Sequence, residues 1–268
     1  HLGSSALLDR RARSATVAGN DLLSAPSHAV LVDEDVSDLT VADNVIRDAA
    51  GAAIATRTDA IAVRGGVISR NRVEGCRGAA ASGWPLGGAL VVGEGTALRL
   101  LDNAFVGNSP AAGAAQRWYA IYLEDVKGGE LRDNTVHQGM NALMMTRSDS
   151  LLVVNNDFSF NSGLGIGMYR SDRNRIMHNT NEDDVRGYSE GFYRRGQDSA
   201  GILIYEQSDS NVVAFNSVTH GGDGLFLWAG QHTMDTGAGG ANDNVFFGND
   251  FSWAPTNGME ATFSRNAF

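Results

Sequence analysis

Three carboxylates stand where chemistry is first sought. Asp198 lies just ahead of the run Gly201-Ile202-Leu203-Ile204, Asp223 just ahead of Gly224-Leu225-Phe226-Leu227, and Glu260 close to the last residue. Two carboxyl groups about 5–9 Å apart, one protonated and one ionised, are what cleavage of a glycosidic bond requires. Groups that grip sugars surround them in sequence. Tyr122, Tyr169, Tyr205, Phe226 and Trp228 can pack against the C–H faces of pyranose rings. Glu124, Arg170, Tyr193, Arg194, Arg195, Glu206 and His220 supply hydrogen bonds and charge. Lys127 is the only lysine, so the cations are guanidinium groups, which hold a carboxylate or sulfate at two points. With a base such as His220 or Tyr193, such a cation would serve elimination or epimerisation at a uronate. Hydrolysis, uronate chemistry and binding without reaction are therefore the readings the residues leave open, with hydrolysis by Asp198, Asp223 and Glu260 the first.

Other chemistries are excluded. His28, His137, His178 and His232 are scattered at no ligand spacing, and a single cysteine, Cys76, leaves neither an internal disulfide nor a Cys-rich zinc site. Met144 and Met145 fit strand positions, not a copper site. The oxygen-rich stretch Asp235–Asn244 admits calcium; no other cofactor is expected. A formal net charge of -10 argues against nucleic acid, whose binding rests on neutralised phosphates. No stretch of eighteen apolar residues exists to cross a membrane. With 43% hydrophobic and 19% charged residues the composition is that of a folding chain.

What must position these residues is a repeat. An asparagine recurs with an apolar residue three before it and another two after it. Asn20, Asn44, Asn71, Asn103, Asn134, Asn156, Asn216 and Asn249 fit on both sides, and Asn179 fits only before, since Asn181 follows it. The shortest steps are 22, 23 and 24 residues, and longer ones read as the same unit with insertions. A small-residue-led alternating run follows at roughly eight to ten residues where no loop intervenes, as in Gly165-Ile166-Gly167-Met168 after Asn156, and further on where one does, as in Ala120-Ile121-Tyr122-Leu123. Alternation with period two marks a strand with one face buried. Short strands at so short a period describe stacked coils sharing one core. The asparagines then lie above one another at about 4.8 Å and can bond in a ladder. Helical hairpins fail for lack of a 3.6-residue period, and propeller blades need about forty residues.

The segment Asn211-Val212-Val213-Ala214-Phe215-Asn216-Ser217-Val218, followed by Gly224-Leu225-Phe226-Leu227, resembles the right-handed parallel β-helix repeat of the pectin-lyase-like superfamily. The resemblance runs from about residue 15 onward. It implies an all-β fold, a right-handed single-stranded parallel β-helix with inserted loops. The superfamily includes polysaccharide lyases, polygalacturonase-type hydrolases and uronate epimerases, which implies a polysaccharide or oligosaccharide partner and an extracellular or periplasmic location. The Asn-Thr-Asp, Gly-His-Gly and Arg-Ile-Lys triplets of polygalacturonases and the Asp-Pro-His-Asp of alginate epimerases are not in this sequence. Fold alone does not assign chemistry, so the site rests on its residues.

Aligning the coils on their leading small residue predicts two outward columns. One holds Tyr122, Met144, Gly167, Leu203, Phe226 and Glu260; its neighbour holds Glu124, Thr146, Tyr169, Tyr205, Trp228 and Thr262. Six rungs make a wall of roughly 24 Å. Segments 75–87, 108–118 and 182–200 precede their strands and 230–242 follows its own, so loops are expected to rise on both sides of an aromatic cleft. The expected organisation is one β-helix domain over residues 1–268, with its C-terminal coil unfinished and open to self-association or to further sequence. The chain opens on His1 without a signal-peptide pattern, as a mature form or fragment would.

Overall fold

The computed structural model describes residues 13–56, 62–77, 87–110, 118–185 and 199–268, together with the backbone of the strand Ala6–Leu8. Its strands form three long faces. The first face has ten strands in chain order from Ala6–Leu8 to Met259–Ala261. The second begins at Ala15–Ala18 and reaches Val245–Phe247. The third carries three-residue strands, Asp21–Leu23 to Thr135–His137, and single bridges through Asp157 continue it to the paired strands Thr180–Glu182 and Ser217–Thr219 and on to Asp250. Pairing is parallel throughout, each strand bonding its counterpart one coil away, as the 22-residue minimum requires. The one described helix is Gly230–Thr236. Among the described residues no helix is long and apolar enough to cross a membrane.

Alternation explains where the core sits. In Ala200–Tyr205, Ile202 and Ile204 are fully buried and belong to one cluster that runs the length of the solenoid. Leu203 turns the other way and joins a second, smaller cluster on the outside of the first face. Each coil alone exposes its apolar side; stacking removes it from water, which is the driving term for the fold.

The asparagines do form the ladder. From Asn20 to Asn216 each side-chain Nδ2 donates to the Oδ1 of the asparagine in the next coil, ending on Asn249, at 2.9–3.0 Å. From Asn44 onward the same nitrogen also donates to the main-chain carbonyl three residues before the previous coil's asparagine, as Asn134 does to Leu100 O at 2.9 Å. The Oδ1 accepts a second bond from the preceding asparagine's backbone N–H. A carboxylate lacks the donor and serine lacks the reach, which is why one residue type recurs. The residue before each asparagine turns the corner in the left-handed conformation, as Gly19, Asp43 and Asp133 do at φ of 68°, 57° and 57°.

The break after Asn179 has a structural counterpart. Asn181 occupies the core position that Val218 takes in the next coil, and it is fully buried. Neither polar atom of its side chain has a hydrogen-bond partner among the described residues, nor does Oδ2 of the fully buried Asp184 nearby.

Candidate glycan site on the first face

Strand register places the predicted columns side by side. Tyr122 pairs with Met144, Met144 with Gly167, Gly167 with Leu203, Leu203 with Phe226, and Phe226 with Glu260. Glu124, Thr146, Tyr169, Tyr205 and Trp228 follow one another in the neighbouring column, two residues further along each strand.

The wall is not open along its whole length. Tyr122 is 1% exposed, and Met144 and Leu203 are buried with it in the outer apolar cluster. Burial pushes the Tyr122 phenol up, and the phenol and Glu124 Oε2 lie 3.2 Å apart. The expectation of an exposed ring at Tyr122 is thus corrected: this half of the wall is a second small core. The open part lies toward the C-terminal coils, where Tyr169, Tyr205 and Phe226 are half-buried and Trp228 is 39% exposed.

The rings also stack on one another. Tyr169 and Tyr205 lie 5.0 Å apart, Tyr205 and Trp228 4.6 Å, and Phe226 and Trp228 6.3 Å between ring centroids. Rungs at strand spacing bring planar side chains into this offset pile. Each inner ring gives part of its face to a neighbour, and the Arg170 guanidinium lies 5.1 Å over the Tyr169 ring as a cation–π contact. Trp228 remains the most open ring.

Further back along these strands stand two of the predicted acids: Glu260 is in register with Phe226, and Asp223 begins the strand that Trp228 ends, about 17 Å away. Asp223 is in register with Ala200, a residue of the outer cluster, so it belongs to the same wall. Asp223 Oδ1 accepts from the backbone N–H and the side-chain Nδ2 of Asn257, each at 3.0 Å, and the same Nδ2 donates to Glu260 Oε2 at 2.8 Å. One amide nitrogen clasps both carboxylates and holds their nearest oxygens within about 6 Å, two hydrogen-bond lengths. Asn257 was not legible as a site residue; its only signal in sequence is its place three residues before Glu260. Asp198, Tyr193, Arg194 and Arg195 lie outside the described residues, and so does the expected spacing of Asp198 from Asp223.

The remaining candidates are engaged elsewhere. Glu124 forms an ion pair with Arg147, which also bonds Asp125 at 2.8 Å and 3.0 Å. Its hydrogen bonds to the carboxylates of Asp125 and then Glu124 hold this guanidinium firmly charged. Glu206, expected to bind substrate at its strand end, is 2% exposed. The segment after Trp228 is a rim in the sequence reading; instead it coils into the helix Gly230–Thr236 and seals Glu206, whose Oε1 accepts from Thr233 Oγ1 at 3.3 Å. A Cβ on Gly230 would come within 2.0 Å of Glu206 Oε2, so only glycine admits this closure. His220 stands on the corner ahead of Asp223, exposed and parallel to Trp253 at 6.2 Å, with Nδ1 3.0 Å from Thr219 Oγ1. In the oxygen-rich stretch, Asp235 accepts from Gln231 and Asp243 is paired with Arg265. Among the described residues no three His, Cys, Asp or Glu side chains are grouped to hold a metal ion.

A family model described as a right handed beta helix region matches residues 86–268, well over half of the 268 residues. This chain belongs to that family. The right-handed sense of the β-helix goes with the membership. Among solved structures, a mutant of the periplasmic alginate epimerase AlgG is 15% identical over 85% of this chain and 53% of its own, with a TM-score of 0.48. The A-module of the mannuronan C-5 epimerase AlgE6 of Azotobacter vinelandii is 14% identical over 90% and 65%, with a TM-score of 0.36. A PL6 alginate lyase in complex with a trisaccharide is 11% identical over 99% and 79%, at 0.39. These are likenesses of fold, and the chain spans about half the length of the AlgG mutants. No curated protein matches it.

Proposed function

We propose that this β-helix protein is carbohydrate-active and cleaves a glycosidic bond, with Asp223 and Glu260 as the acid pair, Phe226 seating the sugar beside Glu260 and Trp228 holding the chain further along the wall. The observation that carries the reading is the shared Asn257 amide, which brings two carboxylates within about 6 Å of each other on the first face, a span that admits the separation of a retaining pair, about 5–5.5 Å. Asp223, with two N–H donors on one oxygen, is placed to attack the anomeric carbon as a carboxylate. Glu260, with one donor, keeps an oxygen to carry the proton to the leaving group and later to take one from water. The glycosyl–Asp223 ester formed in the first step is hydrolysed in the second. A polymeric glycan substrate is met outside the cytoplasm, so an extracellular or periplasmic location is part of this proposal.

A second reading, uronate elimination or epimerisation, is favoured by one observation: Arg170 brings a cation to the edge of the same wall. The experiment is turnover on a panel of neutral and uronate polysaccharides, read as reducing ends and as ultraviolet absorbance of an unsaturated product. Asp223→Asn and Glu260→Gln are each expected to lower reducing-end release at least about a hundredfold, the scale of a lost acid or base. Unsaturated product would move the assignment to elimination. Binding by wild-type protein with no product from any polymer would leave a glycan-binding solenoid and discard the acid pair.

A further inference from the structure

The third face is flanked by two columns of left-handed corner residues, one immediately before each ladder asparagine and one five residues later. Many of these positions hold what that backbone prefers, Gly19, Asp43, Asp102 and Gly248 in the first column and Asp48, Gly75, Gly107 and Asp183 in the second, while Ser24 and Arg70 show that other residues also stand there. From Phe160 onward aromatic rings enter both columns while φ stays the same. His178 and Phe215 stand in the first column at 54° and 57°, and Phe160, His220 and Trp253 in the second at 61°, 58° and 59°. A bulky ring is unfavourable there, and such residues concentrate where function overrides backbone preference.

These rings do not fill a core. Phe160 is 39% exposed, Phe215 47% and Trp253 77%. His178 stacks on Phe215 at 5.2 Å and His220 lies parallel to Trp253, so each column is ordered along the solenoid axis. Between the columns runs a strip of polar side chains. His137 Nε2 lies 2.9 Å from Asp157 Oδ2, Ser217 Oγ donates to Glu182 Oε1 at 3.0 Å, and Asp250 is exposed. Five residues of extended chain separate the columns by about 15 Å.

We propose that this strip is a second carbohydrate surface, built for a neutral polysaccharide and separate from the acid pair on the first face. Aromatic rims with hydroxyl and carboxylate groups between them match a sugar chain, which offers C–H faces and hydroxyls together. A protein interface would place its apolar residues at a contiguous centre; here polar groups occupy the centre and the rings the edges. Asp157, Glu182 and Asp250 would repel an acidic polymer, so charge complementarity selects an uncharged one.

The test is affinity electrophoresis through gels containing hydroxyethylcellulose, xylan, galactomannan, starch or, as the acidic arm, polygalacturonate. At least one neutral polymer is expected to retard the wild-type protein and the Asp223→Asn variant alike. Phe215→Gly and Trp253→Gly are each expected to weaken retardation about tenfold, a loss typical of a ring that contacts ligand. The same variants are expected to keep or raise Tm, because glycine relieves the left-handed corner. Phe215→Asn, the residue that Asn155 already places in this column, gives the same answer should a glycine variant fail to fold. Retardation by no neutral polymer, or by polygalacturonate only, overturns the proposal. So does a fall of several degrees in Tm with retardation unchanged, which would assign the rings to packing.

Discussion

Tyr205 and Trp228, one rung apart on the first face, stack with centroids 4.6 Å apart and planes 15° from parallel. Stacking fixes the indole without burying it. Trp228→Ala is therefore expected to cost less than about 1 kcal/mol of stability while weakening binding of the responsive glycan about tenfold. Tyr122→Ala, in the sealed half of the same wall, should cost about 3 kcal/mol or more through the cavity it leaves. Denaturant unfolding and a binding isotherm on both variants check the contrast, which vanishes if the wall is open or closed throughout.

The amide ladder should be strong inside and weak at its edge. Asn134→Ala removes donors to Leu100 O and Asn156 Oδ1 and strands the Asn103 donors that bond Asn134 Oδ1. The expected loss is about 3 kcal/mol, since buried partners are left unpaired. Asn20→Ala, at an exposed rung, is expected to lose under about 1 kcal/mol. Chemical denaturation midpoints give both numbers.

Asp184 should make the fold less stable as pH rises. It sits where Asn161 sits one coil earlier, and its Oδ1 accepts from the Asn161 N–H at 3.0 Å. Burial drives its carboxyl well above the usual carboxylate range. The folded chain therefore holds a proton that the unfolded chain releases, so the contribution is full below about pH 4 and shrinks as pH rises toward the folded value. Asp184→Asn supplies the missing N–H permanently. Its Tm should match wild type near pH 4 and exceed it by a few degrees at pH 7–8, the shift expected from about 1 kcal/mol. A Tm gap that stays constant across this range would contradict the assignment.

Cys76 should be silent. The thiol is fully buried, and burial raises its pKa to about 11. A disulfide reagent at pH 8 is expected to leave the folded protein unlabelled and to titrate one thiol in denaturant, because the thiolate is the reactive species.

The architecture was legible because its determinant is local: one amide in one fixed context, with alternation after it, dictates coil, register and column. Even the outward neighbours of Phe226 and Trp228 follow from counting. What counting misses is anything decided between segments distant in sequence. Nothing near Tyr122 announces that it is sealed. Glu206 reads as a strand-end carboxylate until the helix after Gly230 is seen to close over it. Asn257 gains its role only from the rung beneath it. The aromatic corners hide for another reason: their positions repeat but their residue types do not, and only the backbone angle shows that Phe215 stands in the left-handed conformation that Gly19 and Asp43 adopt in earlier coils.

Asn134 and Asn156 are 22 positions apart in sequence and Asn179 and Asn216 are 37, yet both pairs bond at 2.9–3.0 Å. The spine of the molecule is thus blind to how much peptide is spliced between its rungs. Length can be added or trimmed at a corner without moving the neighbouring coils. A scaffold with that tolerance can swap recognition segments like cartridges, changing what it meets while leaving its frame unaltered.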